Sequence, residues 1–80
     1  MRRRLDDIQG SVGPISWFVR TQRKGAGLTQ EELAMRAGVG IRFLKELELG
    51  KPSLRMDKVQ QVLQFFGHEL AASPLPQDRR

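Results

Sequence analysis

The chain contains no cysteine, so neither a disulfide nor a thiolate zinc site can hold it together. Its one histidine, His68, argues against a histidine-based metal site. No apolar run approaches the roughly 20 residues that a membrane-spanning helix needs. The opening MRRRLDDIQG is basic but has no apolar segment behind it, which is not the pattern of a secretory signal. No paired acid and base, no nucleophile with a histidine partner and no phosphate-binding glycine loop is legible. The expectation is therefore a cytoplasmic binding protein, with no enzyme activity, no cofactor, no small-molecule substrate and no membrane.

What is present narrows the class further. Eighty residues allow one domain. With 39% hydrophobic residues the chain is globular, yet a domain of this size buries a modest core. Association with another copy is a common way to gain burial. The formal net charge is +5 and the pI about 10.8. That balance favours a polyanionic partner, nucleic acid ahead of an anionic membrane.

Residues 1–13 carry Arg2, Arg3 and Arg4 with few large apolar residues and read as a flexible basic arm. The arm either touches phosphates or a minor groove or is a solvated tail. Pro14 suits the first turn of a helix. Ile15, Phe18, Val19 and Gln22 follow at helical spacing, and Gly25 and Gly27 end that helix. Trp17 is either a stacking residue or the flank of a small core.

Thr29 and Glu32 form the capping-box pattern T-x-x-E. A second helix is expected over Gln30 to Ala37, with Leu33, Ala34 and Ala37 inward. Gly38-Val39-Gly40 is the turn, with Gly38 in the left-handed conformation and Val39 pointing to the core. A third helix spans about Ile41 to Leu49 and buries Leu44 and Leu47. Near Arg55 to Phe66 a fourth helix carries Met56, Val59, Val62, Leu63 and Phe66 as one inward stripe. His68 to Ala72 is either an edge strand or a helical remnant. The tail, 73–80, has two prolines and three charges and reads as disordered.

Residues 29–49 meet the demands of two helices that cross closely. Ala34 is small where a large side chain would hold the helices apart. Gly38 stands at the turn, and apolar residues occupy Leu33, Ala37, Val39, Leu44 and Leu47. With the capping box, these positions specify a helix-turn-helix far more tightly than a generic helical hairpin.

The segment RKGAGLTQEELAMRAGVGIRFLKELELGKPSLRMDKVQQVLQFFG resembles the lambda-repressor-like, Xre-type helix-turn-helix domains. Its GLTQEELA and AGVGIRFLKELELGKP stretches look most like the HipB-like antitoxin and repressor branch. The resemblance covers about Ile15 to Leu70. It implies an all-α bundle of four to five helices over 14–72, with a short C-terminal strand pairing across a dimer. It implies that Thr29 and Gln30 hold a DNA phosphate and that Gly40, Ile41, Arg42 and Lys45 enter the major groove. It implies further that Lys51 and Ser53 contact backbone, and that Arg23 and Glu48 form a structural ion pair.

The residues themselves are consistent with these roles. An arginine such as Arg42 can fork to a guanine, and Lys45 can reach a base acceptor or a phosphate. Ile41 suits a thymine methyl, or it is a core side chain at i, i+3, i+6 from Leu44 and Leu47. Glu46 either accepts from a cytosine amino group or faces solvent. Gly40 departs from the family, where a polar residue is common, and offers no side chain to a base.

One such helix reads few bases, so two-fold dimers reading two half-sites are the usual arrangement. Phe65, His68, Glu69, Leu70 and Ala71 are the candidate dimer contacts. Three functions follow. The first is a homodimeric repressor of its own operon that acts as antitoxin to a HipA-like kinase toxin. The second is a stand-alone repressor of the same fold. The third is an interaction module that inhibits an enzyme and binds double-stranded DNA only secondarily.

Overall fold

The computed structural model describes residues 13–75. The arginine arm and most of the tail lie outside the described residues. Four helices follow one another: α1 (Pro14–Gly25), α2 (Gln30–Ala37), α3 (Ile41–Leu49) and α4 (Met56–Phe65).

Each helix begins for a local reason. Pro14 opens α1 at its first position, where the missing N–H costs nothing. Arg23 and Lys24 sit in its last turn, on the side the helix dipole favours. The capping box opens α2: the Glu32 N–H donates to Thr29 Oγ1 at 3.0 Å, and the Thr29 N–H donates to Glu32 Oε1 at 2.8 Å. Gly40 precedes α3 and Arg55 precedes α4, neither supplying a side-chain cap.

All four helices end in the same way. Gly27, Gly38, Gly50 and Gly67 have positive φ. The N–H of the residue after each glycine returns to a carbonyl five positions back: Leu28 to Arg23, Val39 to Ala34, Lys51 to Glu46 and His68 to Leu63. This Schellman-type closure satisfies carbonyls that a helix end otherwise leaves open.

The four helices meet around Val19, Leu33, Leu44 and Val62, one from each, all with no exposure. Ala34, Ala37, Val39, Leu47, Val59 and Leu63 complete the core, with Phe18, Phe66 and Leu70 packed against it. Phe18 meets Phe66 edge to face, with ring centroids 6.5 Å apart. Truncating Leu33 or Leu44 to alanine costs about 2–5 kcal/mol by the usual large-to-small rule, much of the stability available to a domain this small.

Three expectations change. Met56 is 72% exposed and is not part of the inward stripe, because at the first position of α4 it lies beyond the rim of the core. Residues 68–75 hold no strand in the single chain. The Leu70 N–H instead donates to Gln60 Oε1 at 2.7 Å, which lays this segment on α4. The fourth helix is also one residue shorter at each end than its apolar pattern suggests, its flanking residues acting as caps.

Candidate nucleic-acid interface

Helices α2 and α3 are joined by Gly38-Val39-Gly40, the geometry expected of residues 29–49. Ala34 is 4% exposed and leaves the room that close crossing requires. Gly38 is held by two independent constraints. Its φ is +79°, and a Cβ built on it would stand 2.8 Å from Gln61 Nε2. That amide lies so close because it donates to the carbonyls of both Ala37 and Gly38, each at 2.9 Å. Gln61 of α4 thus closes the end of α2 from outside the motif.

Position and tilt of α3 are set by a latch to α1. The Arg23 guanidinium donates through Nε to Glu48 Oε2 at 2.7 Å and through Nη2 to Glu48 Oε1 at 3.0 Å. Its Nη1 donates to the Leu28 carbonyl at 2.9 Å. The side chains are only 12% and 3% exposed. Hydrogen bonding to Glu48 raises the Arg23 pKa above its ordinary value, against the opposing effect of burial. Glu48 follows Leu44 and Leu47 at helical spacing, so it belongs to the inner face of α3. A paired, hydrogen-bonded carboxylate is the form in which that face tolerates a charge.

The residues expected to face DNA are distributed as follows. The Arg42 side chain is 93% exposed, and Gly40 and Lys45 are exposed. Ile41 is half-buried and packs against the core, so only part of its side chain is open to a base. Thr29 is exposed, with its hydroxyl engaged in the capping box. Gln30 is half-buried and donates through Nε2 to Glu48 Oε1 at 3.1 Å, which makes it a third member of the latch. Lys51 and Ser53 are exposed in the loop after α3.

Glu46 neither stands alone in solvent nor joins the core. Its carboxylate lies 3.7 Å from the Arg42 Nε and 3.4 Å from the Lys51 Nζ. It therefore sits between a residue expected to read bases and one expected to touch the backbone. Exposed pairs of this kind contribute little stability, but they hold two cations near one place.

The expected dimer contacts are placed unevenly. Phe65 is 39% exposed and meets Phe66 at 5.1 Å between centroids. His68 packs against Phe18 at a tilt of 58°, with ring centroids 4.6 Å apart. Its Nδ1 is 2.8 Å from the Phe66 carbonyl oxygen. Leu70 is half-buried against its own core, while Glu69 and Ala71 are exposed.

Sequence reasoning missed Gln61 and Gln60, which have no signature because glutamine suits caps and surfaces equally. It also passed over Arg20 and Lys24 of α1, which line one groove together with Gln30, Lys45 and Leu49. Their spacing of four placed them on one helix face, and that was the available signal.

Comparison with known proteins agrees with this architecture. A family model described as helix-turn-helix matches residues 19–71. A protein of Sinorhizobium fredii (strain NBRC 101917 / NGR234) bears the name uncharacterized HTH-type transcriptional regulator y4mF. It is 53% identical to this chain over 53 residues, which are 66% of this chain and 70% of that protein. The family match spans all of α2 to α4 and part of α1, and with the relative, the capping box, the Gly38 turn and the buried Ala34 contact it places the chain in the Xre-type, lambda-repressor-like helix-turn-helix family.

Proposed function

We propose that this chain is a sequence-specific DNA-binding repressor of transcription. The observation that carries this reading is the presentation of α3. Its inner face is buried through Leu44, Leu47 and Glu48. Its outer face carries Arg42 at 93% exposure and Lys45 one turn later. A rigid helix with solvent-exposed cationic donors on its first turns suits the major groove, where such donors distinguish guanine from other bases. The net charge of +5 supplies the attraction to any DNA. The name of the Sinorhizobium fredii relative, a transcriptional regulator, supports the same role.

The finer reading is a homodimer acting as a HipB-like antitoxin. It represses its own operon and binds a HipA-like kinase toxin. Support comes from the resemblance of the GLTQEELA and AGVGIRFLKELELGKP segments. The exposure of Phe65 fits a contact with a second copy.

Footprinting on the DNA upstream of its own gene tests the repressor reading. A protected, two-fold symmetric site is expected; no retardation by micromolar protein at low salt sinks it. Co-purification with the product of a neighbouring kinase-like gene tests the antitoxin reading. Protected DNA without such a neighbour leaves a stand-alone repressor. Kinase binding without DNA binding leaves an inhibitory interaction module.

A further inference from the structure

Beside α3 runs a groove shared between the helix-turn-helix and α1. One wall is the C-terminal half of α1, with Arg20 and Lys24; the other is α3, with Lys45 and Leu49; Gln30 lies at its end. The Arg23–Glu48 pair is also part of its lining. Because Arg23 holds Glu48 through two hydrogen bonds, the acid's charge is already met. The remaining charges of the lining, on Arg20, Lys24 and Lys45, are all positive.

Arg20 and Lys24 are four residues apart on one helix, a spacing at which like charges repel and weaken the helix. An anion in the groove relieves that repulsion. The chemistry of the groove is more specific than charge alone. Leu49 is 71% exposed and gives it an apolar edge next to the cations. A nucleic-acid strand offers this pairing, since each charged phosphate is followed by a sugar with an apolar face.

We propose that this groove seats a phosphate of the DNA backbone, with Arg20 and Lys24 as its contacts and Leu49 against the adjoining sugar. This rests on the DNA-binding reading above and extends the footprint from α2 and α3 to α1. The groove contributes affinity and register and carries no base preference, as backbone contacts do. Through Gln30, which bonds Glu48, a phosphate seated here also abuts the latch that sets the position of α3.

The test compares the full-length protein with a variant carrying Arg20→Gln and Lys24→Gln. Arg36→Gln, on an exposed residue of α2 outside the groove, is the control. Binding to the footprinted site and to scrambled DNA is measured from 50 to 200 mM salt, with thermal melts to verify folding. Removing two phosphate contacts flattens the salt slope by about 1.8 units per protomer. Over that fourfold range wild type then loses about twelvefold more affinity per protomer than the double variant. The preference for the site over scrambled DNA is expected to stay unchanged.

A slope equal to that of Arg36→Gln overturns the proposal while leaving DNA binding intact. A collapsed site preference overturns the assignment to backbone. If wild type binds no DNA at any salt, both this proposal and the repressor reading fall. Should the double variant melt below the assay temperature, Lys24→Gln alone, on the more exposed residue, is expected to show half the change in slope. No change there overturns the proposal equally.

Discussion

Arg23 of α1 grips Glu48 of α3 with two parallel hydrogen bonds of 2.7 and 3.0 Å, and Gln30 of α2 adds a third bond to the same carboxylate at 3.1 Å. Three helices are thereby tied at one charged point beside the core. The pair fixes the angle at which α3 leaves the domain, and thus where Arg42 and Lys45 point.

Breaking this pair from one side should be costly. Arg23→Ala leaves Glu48 buried with only Gln30 as partner, and the expected loss is about 3–5 kcal/mol. Replacing both, as Arg23→Met with Glu48→Leu, removes the stranded charge and should recover most of that stability. Urea unfolding of the single and the double variant checks it; equal losses in the two would refute the coupling.

Gly38 and Gln61 make a second coupled pair. Gly38→Ala puts a β-carbon at φ +79° and 2.8 Å from Gln61 Nε2, with an expected cost of about 1–2 kcal/mol from backbone strain alone. Gln61→Ala uncaps two carbonyls and should cost about 1 kcal/mol. In the double variant the clash is gone, so the losses should sum to less than the two singles. A double-mutant cycle by chemical denaturation measures the difference.

Glu46 should act as a brake on indiscriminate binding, because its carboxylate is shared by Arg42 and Lys51. Glu46→Gln is expected to tighten binding to every DNA sequence and to narrow the gap between the operator and scrambled DNA. Arg42→Ala should instead cost about 1–3 kcal/mol at the operator and relax base preference. Lys51→Ala should weaken binding to all sequences and flatten the salt slope by about one unit per protomer. Anisotropy titrations on both DNAs separate the three; an unchanged base preference in Arg42→Ala would sink its assignment as a reader.

Acid should loosen two helix starts. The Thr29 N–H bonded to Glu32 holds that carboxyl below its ordinary 4.5, and the Arg55 guanidinium holds Asp57 below its ordinary 3.8. Both folded-state values lie under the unfolded ones. Their stabilisation is therefore complete above about pH 4.5 and is lost as pH falls through the folded-state values. The melting temperature should hold steady from pH 7 to 5 and fall below that. Glu32→Gln and Asp57→Asn should each make the acid-side fall shallower in thermal melts followed by circular dichroism.

Much of the fold was legible because its signals are local. The capping box of Thr29 and Glu32, the proline at the start of α1 and the glycines at the helix ends act within a turn or two of chain. The inward residues Leu33, Leu44 and Val62 follow from helical period. The stripe on α4 misled at Met56, since periodicity assigns a face but not where the neighbouring helices stop covering it. The C-terminal segment could be an edge strand or a helical remnant by sequence; in the single chain it is neither, and Gln60 supplies the hydrogen bond to Leu70.

The candidate site divides along the same line. The roles of Arg42 and Lys45 were implied by the resemblance and agree with the exposure of cations on a helix of known phase, whereas Lys51, in the loop after α3, rested on the resemblance alone. Arg23 with Glu48 needed the resemblance, for they lie 25 residues apart and nothing local joins them. Gln61 under Gly38, Gln30 on Glu48, and the groove that brings Arg20 and Lys24 beside Lys45 were decided by tertiary structure alone. Sequence by itself determined the order of the helices, most of their caps and apolar faces, and a charge that favours a polyanionic partner, because short-range hydrogen bonding, side-chain period and net charge need no knowledge of packing. Which polar side chains meet, and so which charges are spent on holding α3 in place and which are left for a ligand, depends on how the helices cross, and only the packed core sets that.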